Sequence, residues 1–201
     1  MAITFTGANE TVINLDNPSH LNFIPNTDEF SLMGWVRVTS GNVGTLISKR
    51  YSTFYQYQLG VTTGGYPFIL VGTGTANTGT IAIDDGEWHH ISGVNFDVSG
   101  TLFYELFIDG ILNKGGLLSG SLTSTAGVLI GGRHDLHTGD FGYLLTGDAA
   151  DVRAYNRVLS AEEHETIYAC RGSDGIVDGL VGRWPLNEGP PGVNVQSFFR
   201  F

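Results

Sequence analysis

Short runs in which apolar and polar residues alternate recur along the whole chain, each cut off by Gly, Asn, Asp or Thr. Successive side chains of an extended strand point to opposite faces, so a period of two confines the chain to strands with one or both faces covered. The run FSLMGWVRV is the clearest case. Phe30, Leu32, Gly34, Val36 and Val38 fall on one face, and Ser31, Met33, Trp35 and Arg37 on the other. GTLISKR, YQYQLGVT, YPFILVG, TIAID, EWHHISGVNF, LFYELFIDG, GVLIGGR and ADVRAYN read the same way. Many short strands at this spacing predict an all-β, antiparallel sandwich or barrel. The 29 glycines and a charged fraction of only 15% agree, because helical chains draw more heavily on Glu, Lys, Ala and Arg.

The breaks between runs have explicit chemistry. Asp109-Gly110 between LFYELFI and Ile111-Leu112 predicts a hairpin, since glycine accepts positive φ without penalty. Asp85-Gly86 predicts a second one between TIAI and EWHHI. The stretch from Gly72 to Thr80 has no apolar residue larger than alanine and reads as a loop or a weak edge strand. One helix stands out, near residues 161–169: Ser160 precedes AEEHETIYA with Glu163 three positions on, the arrangement of a capping box. LVGRWPLNEG (180–189) reads as a last strand, followed by PPGVNVQSFFRF (190–201), a tail that opens on two prolines. The expectation is one domain over 1–189 plus a tail over 190–201. At 201 residues such a domain buries roughly 70% of its unfolded surface and needs no staple to fold.

The chain carries a formal charge of −10 with only 10 Lys+Arg, thinly spread. Nucleic acid and acidic membrane surfaces both demand a cationic stripe, so neither is an expected partner. Cys170, the one cysteine, excludes an internal disulfide and is expected to be a small buried hydrophobe. MAITFTGANE has neither the basic nor the apolar region of a signal peptide, and no apolar run approaches the ~18 residues of a membrane span. The expected site of synthesis is the cytosol, without membrane insertion.

Four segments, in order, carry a resemblance: FSLMGWVRV, DDGEWHHISGV, LFYELFIDGILN and GDAADVRAYNRVLSAEEHETIY. Together they resemble the laminin-G-like branch of the concanavalin A-like lectin/glucanase superfamily. That likeness implies a jelly-roll β-sandwich. LVGRWPLNEG resembles the segment that usually opens such a domain, which implies a permuted closing strand or the start of a further repeat. Copies with the ending RGSDGIVDGLVGRWPLNEG look like phage structural proteins, which implies a place on a virion surface, such as capsid decoration or a tail-associated role.

The candidate site residues follow. His89 and His90 are adjacent on a strand, point to opposite faces and so do not chelate one ion together. Concanavalin-fold glycosidases set alternating acids on one strand; that pattern is missing, and Asp84, Asp85 and Glu87 read as a solvated hairpin, so catalysis is not expected. Domains of the resembled family often hold structural Ca²⁺ at loop ends, which makes Asp16, Asn17 and Asp148 the suspects for such an ion. Asp151 is expected to pair with Arg153 or Arg157. If a ligand is bound, the polar loop with Arg133, His134, Asp135 and His137 and the aromatics Tyr51, Tyr55 and Tyr57 are the expected contacts, with rings stacking on sugars. Phe198, Phe199 and Phe201 near the terminus are expected to dock on a neighbour. The expectation is thus a non-catalytic structural or adhesive module, self-associating or bound to another structural protein, with a glycan-binding lectin-like module as the alternative and a glycoside hydrolase or lyase as a remote one.

Overall fold

A computed structural model describes residues 2–24, 27–42, 44–51, 54–72, 75–118, 125–134 and 141–186, apart from the side chains of Phe54 and Tyr55. The tail over 190–201, with Phe198, Phe199 and Phe201, lies outside these, as do Asp135 and His137. The strands are β1 (Ile3–Thr6), β2 (Ile13–Asn14), β3 (Phe30–Thr39), β4 (Gly44–Tyr51), β5 (Phe54–Val61), β6 (Pro67–Val71), β7 (Asn77–Thr78), β8 (Asp85–Val98), β9 (Thr101–Ile108), β10 (Ile111–Leu117), β11 (Val128–Ile130), β12 (Arg133–His134), β13 (Phe141–Gly142), β14 (Thr146–Tyr155) and β15 (Leu180–Trp184). A single α-helix among the described residues, α1 (Ala161–Cys170), follows β14.

These strands form two sheets, antiparallel except for one parallel bridge between β12 and β4. The first runs β1-β14-β3-β8-β9-β10, and the second runs β13-β12-β4-β5-β6-β7 with β11 and β2 beside β4. The alternation in β3 sorts as expected. Phe30, Leu32, Val36 and Val38 join Leu46, Ile47, Tyr57, Leu59 and Ile69 of the second sheet in the core between the layers. The outward residues Met33 and Tyr155 meet Leu159 and Ile167, so α1 covers part of the outer face of the first sheet. Ser160 caps α1 through the Glu163 N–H, and the Glu163 carboxylate accepts from the Ser160 N–H at 2.8 Å, completing the capping box.

The Asp109-Gly110 hairpin is present, with φ of 52° and 78°. Three other expectations are corrected. Asp85-Gly86 is not a hairpin turn: Asp85 opens β8, and Gly86, at φ 87°, takes up an extra residue where Arg37 faces Trp88 but Thr39 faces Asp85. That is a β-bulge, and it uses the same glycine property as a turn. TIAID forms no strand up to Asp84. Cys170 is exposed at the end of α1, because the apolar face of that helix is filled by Ile167.

β3 occupies one edge of β14 along Asp148–Tyr155, so β1 and β15 lie end to end on the other, at Thr146–Ala149 and Val152–Tyr155. Between them β14 bulges at Asp151, whose φ is 47°. The bulge aims Asp151 at two arginines. Its Oδ2 accepts from Arg153 Nη2 at 2.6 Å and its Oδ1 from Arg183 Nε at 2.7 Å. Arg153, fully buried, also reaches both oxygens of Asp174 at 2.9 and 2.8 Å. Asp151 therefore pairs with Arg153, as expected, and with Arg183; Arg157 instead grips Glu163 at 2.6 Å.

Candidate functional site at the rim of the second sheet

Two short strands bring three of the expected ligand residues, Tyr51, Arg133 and His134, to one edge of the second sheet. His134 in β12 lies beside Tyr51 at the end of β4 and opposite Phe141 in β13. Its ring meets the Tyr51 ring edge-on at 6.3 Å and the Phe141 ring edge-on at 5.5 Å. Next to it the Arg133 guanidinium sits 3.6 Å from the centre of the Tyr143 ring, a cation–π stack that holds the ring in place. Tyr143 hangs at the rim because its carbonyl accepts from the Thr45 N–H of β4 at 2.9 Å. Tyr51 and Tyr143 are 41% and 56% exposed, which leaves ring surface open to a ligand.

His134 Nε2 is buried and has no hydrogen-bond partner among the described residues. Burial, with help from the Lys49 charge, pushes its pKa below the usual histidine value, so the neutral ring prevails near pH 7. Such a ring can both donate and accept. On the outward side of β4 and β5 a polar row adjoins this rim. Gln58 donates to Thr45 Oγ1 at 2.7 Å and accepts from Arg50 Nη1 at 2.6 Å.

Tyr57 does not belong to this site. It alternates with Leu59 and Val61 on the inward face of β5, is fully buried, and donates its hydroxyl to the Leu21 carbonyl at 3.0 Å. The side chain of Tyr55 lies outside the described residues, as do Asp135 and His137. Nor are the three Ca²⁺ suspects gathered. Asp148, in the first sheet, accepts from Arg37 Nε and Nη2 at 2.8 and 2.5 Å and from Thr4 at 2.5 Å. The Asn17 side-chain oxygen accepts from the Lys49 ammonium, which also donates to the Ala126 carbonyl at 2.8 Å. Asp16 joins the second-sheet side through its carbonyl, bonded to the Val128 N–H. An ammonium and a guanidinium thus occupy oxygens that a metal would need. No group of three or more His, Cys, Asp or Glu able to hold a metal occurs among the described residues.

The two histidines of WHH part as expected. His90 is buried beside Trp35 at 5.3 Å, and His89 faces Asp109 at 2.8 Å near the hairpin.

The model of the concanavalin A-like lectin/glucanases superfamily matches residues 7–163. The chain belongs to this superfamily. Among solved structures, this superfamily member is similar to the heptameric SAP-like pentraxin of Limulus polyphemus, at 17% identity and TM-score 0.59, over 89% of this chain and 93% of that one. It is similar to a carbohydrate-binding protein of Bacteroides ovatus at 15% identity and TM-score 0.68, over 92% of this chain and 50% of that one, so it spans half of that relative. A third similarity is to the CBM40 of Ruminococcus gnavus IT-sialidase bound to α2,3-sialyllactose, at 15% identity and TM-score 0.65, over 84% and 96%. At these identities the likeness establishes a shared concanavalin-like sandwich. No curated protein matches the chain in sequence.

Proposed function

We propose that the protein is a non-catalytic glycan-binding module whose rim at Tyr51, Arg133, His134 and Tyr143 receives the sugar. The observation that carries this is two open tyrosine rings, Tyr51 beside His134 and Tyr143 stacked on Arg133, held by neighbouring residues of one short strand. Rings stack on the C–H face of a pyranose, and their phenol hydroxyls hydrogen-bond its hydroxyls. Two of the structural relatives are described by carbohydrate binding, which favours the lectin-like alternative over a building role. The virion-surface role rests on the resemblance to phage structural proteins, and its docking residues Phe198, Phe199 and Phe201 lie outside the described residues.

The test is a glycan array followed by calorimetry on the hit. Tyr51→Ala and Tyr143→Ala are expected to weaken binding at least tenfold each while leaving the melting temperature within a few degrees. Binding is expected to survive EDTA, since Asn17 and Asp148 are held by Lys49 and Arg37. Absence of any glycan hit, or full affinity in both variants, refutes the proposal.

A further inference from the structure

The part of the first sheet's outer face that α1 leaves open is a groove of about 810 Å³, within the roughly 300–1,000 Å³ of small-molecule sites. Segments from six places in the chain line it, among them Trp35 and Arg37 of β3, Trp88 of β8, Tyr168 of α1 and Arg183 of β15. Arg37, Arg171 and Arg183 stand there against Glu87, Asp148 and Asp151. In a chain with 10 Lys+Arg and a charge of −10, three arginines in one groove is a concentration, and their balance by three acids makes the groove neutral.

The six groups are not equally available. Arg37 brings two donors onto Asp148 Oδ2 and Arg183 is bidentate on Asp151, so four of them form two fixed pairs. Glu87 and Arg171 are exposed and have no ion pair with any described residue. Among the described residues the groove therefore presents one carboxylate and one guanidinium without an ion partner, beside an indole, Trp88, that Arg37 buttresses at 5.3 Å. A singly charged ligand meets one attraction and one repulsion there. A hydroxyl both donates and accepts, so a polyol satisfies both groups and loses nothing to either charge. The indole offers an apolar wall to sugar C–H groups.

We propose that this groove is a second carbohydrate site, selective for uncharged saccharides and independent of the rim at Tyr51. The two sites are on different sheets, and their aromatic residues differ in type, which gives the test its readout. Trp35 and Trp88 line the groove, Trp184 is buried in the core, and the rim contains tyrosine and phenylalanine.

The experiment follows the three indole N–H signals of the full chain by NMR during titration with maltose, cellobiose, lactose and, separately, digalacturonate. The expected result is that at least one neutral disaccharide shifts the Trp35 and Trp88 signals and leaves Trp184 still. This response persists in Tyr51→Ala, while Glu87→Gln and Arg171→Ala each raise its Kd at least tenfold. Both are surface substitutions, and an unmoved Trp184 signal confirms that the variants are folded. The proposal is overturned if no neutral sugar moves the two signals, if digalacturonate alone does, if the shifts survive both substitutions, or if Tyr51→Ala abolishes them. Loss of glycan-array binding in Tyr51→Ala with the indole shifts intact separates the fate of the rim from that of the groove.

Discussion

Arg153 keeps a full charge where water does not reach it, on the outer face of β14, with Asp151 and Asp174 as its counterions and the Tyr155 hydroxyl beside it. Those two hydrogen-bonded carboxylates outweigh the cost of burial and hold the guanidinium pKa above its usual value. Removing the cation strands Asp174, which is almost wholly buried. Arg153→Met is therefore expected to destabilise by about 3–5 kcal/mol, read from urea unfolding at neutral pH. His90 of β8 and His164 of α1 are buried, and His164 stacks on Phe107 at 3.9 Å with no hydrogen bond to either ring nitrogen among the described residues. Burial pushes His90 down to about 3 and His164 down to about 4, with the His164 and Arg153 charges helping at His90 while Asp151 and Asp174 oppose. Lowered pKa values mean that the unfolded chain takes up protons first. Their contribution is complete above the unfolded value near 6.5 and is lost as pH falls through 4 and then 3. His164→Leu should flatten the fall in unfolding free energy between pH 6.5 and 4. Strand parity made His89 and His90 legible in the sequence, and the same parity places Tyr57 with Leu59 and Val61 inside. What parity does not show is which outward residue a loop then covers.

At the scale of elements, the local signals were the readable ones. The capping box and the Asp109-Gly110 hairpin depend on residues a few positions apart, and both formed as the residue types require. They also touch: a Cβ on Gly110 would stand 2.9 Å from Glu165 Cα and 3.1 Å from Tyr168 Cβ, so the hairpin is the seat of α1. Gly110→Ala is expected to lower stability by more than about 1 kcal/mol, since it adds both a clash and an unfavourable φ. Ser160→Ala should cost about 1 kcal/mol from the lost cap. Thermal melts followed at the near-ultraviolet tryptophan band distinguish the two from a silent change. Asp85-Gly86 was ambiguous for a physical reason: positive φ at glycine serves a bulge as well as a turn, and only the partner strand decides between them.

For the whole molecule, the order of the first sheet ranks its amides. β3 and β8 have neighbours on both edges, whereas among the described residues β10 and β7 pair on one edge only. Hydrogen exchange is expected to be slowest in Phe30–Val38 and Ile91–Phe96 and fastest in β7 and on the outer edge of β10. The layered sandwich was legible because its signal repeats in every strand. The groove was not, because pairings assemble it from remote segments: Arg37 and Asp148 are 111 positions apart, and no local pattern links them. The shared edge of β14 has a further consequence. Thr4 meets Asp148 across 144 positions, so at a synthesis rate of roughly 5–20 residues per second β1 exists on the order of ten seconds before anything can pair with it. Once β3 has been made, its β14 edge is also open until Thr146–Tyr155 arrives. A nascent chain halted short of Thr146 thus exposes its central strand, and a neighbouring nascent chain can add a strand there before the proper one arrives.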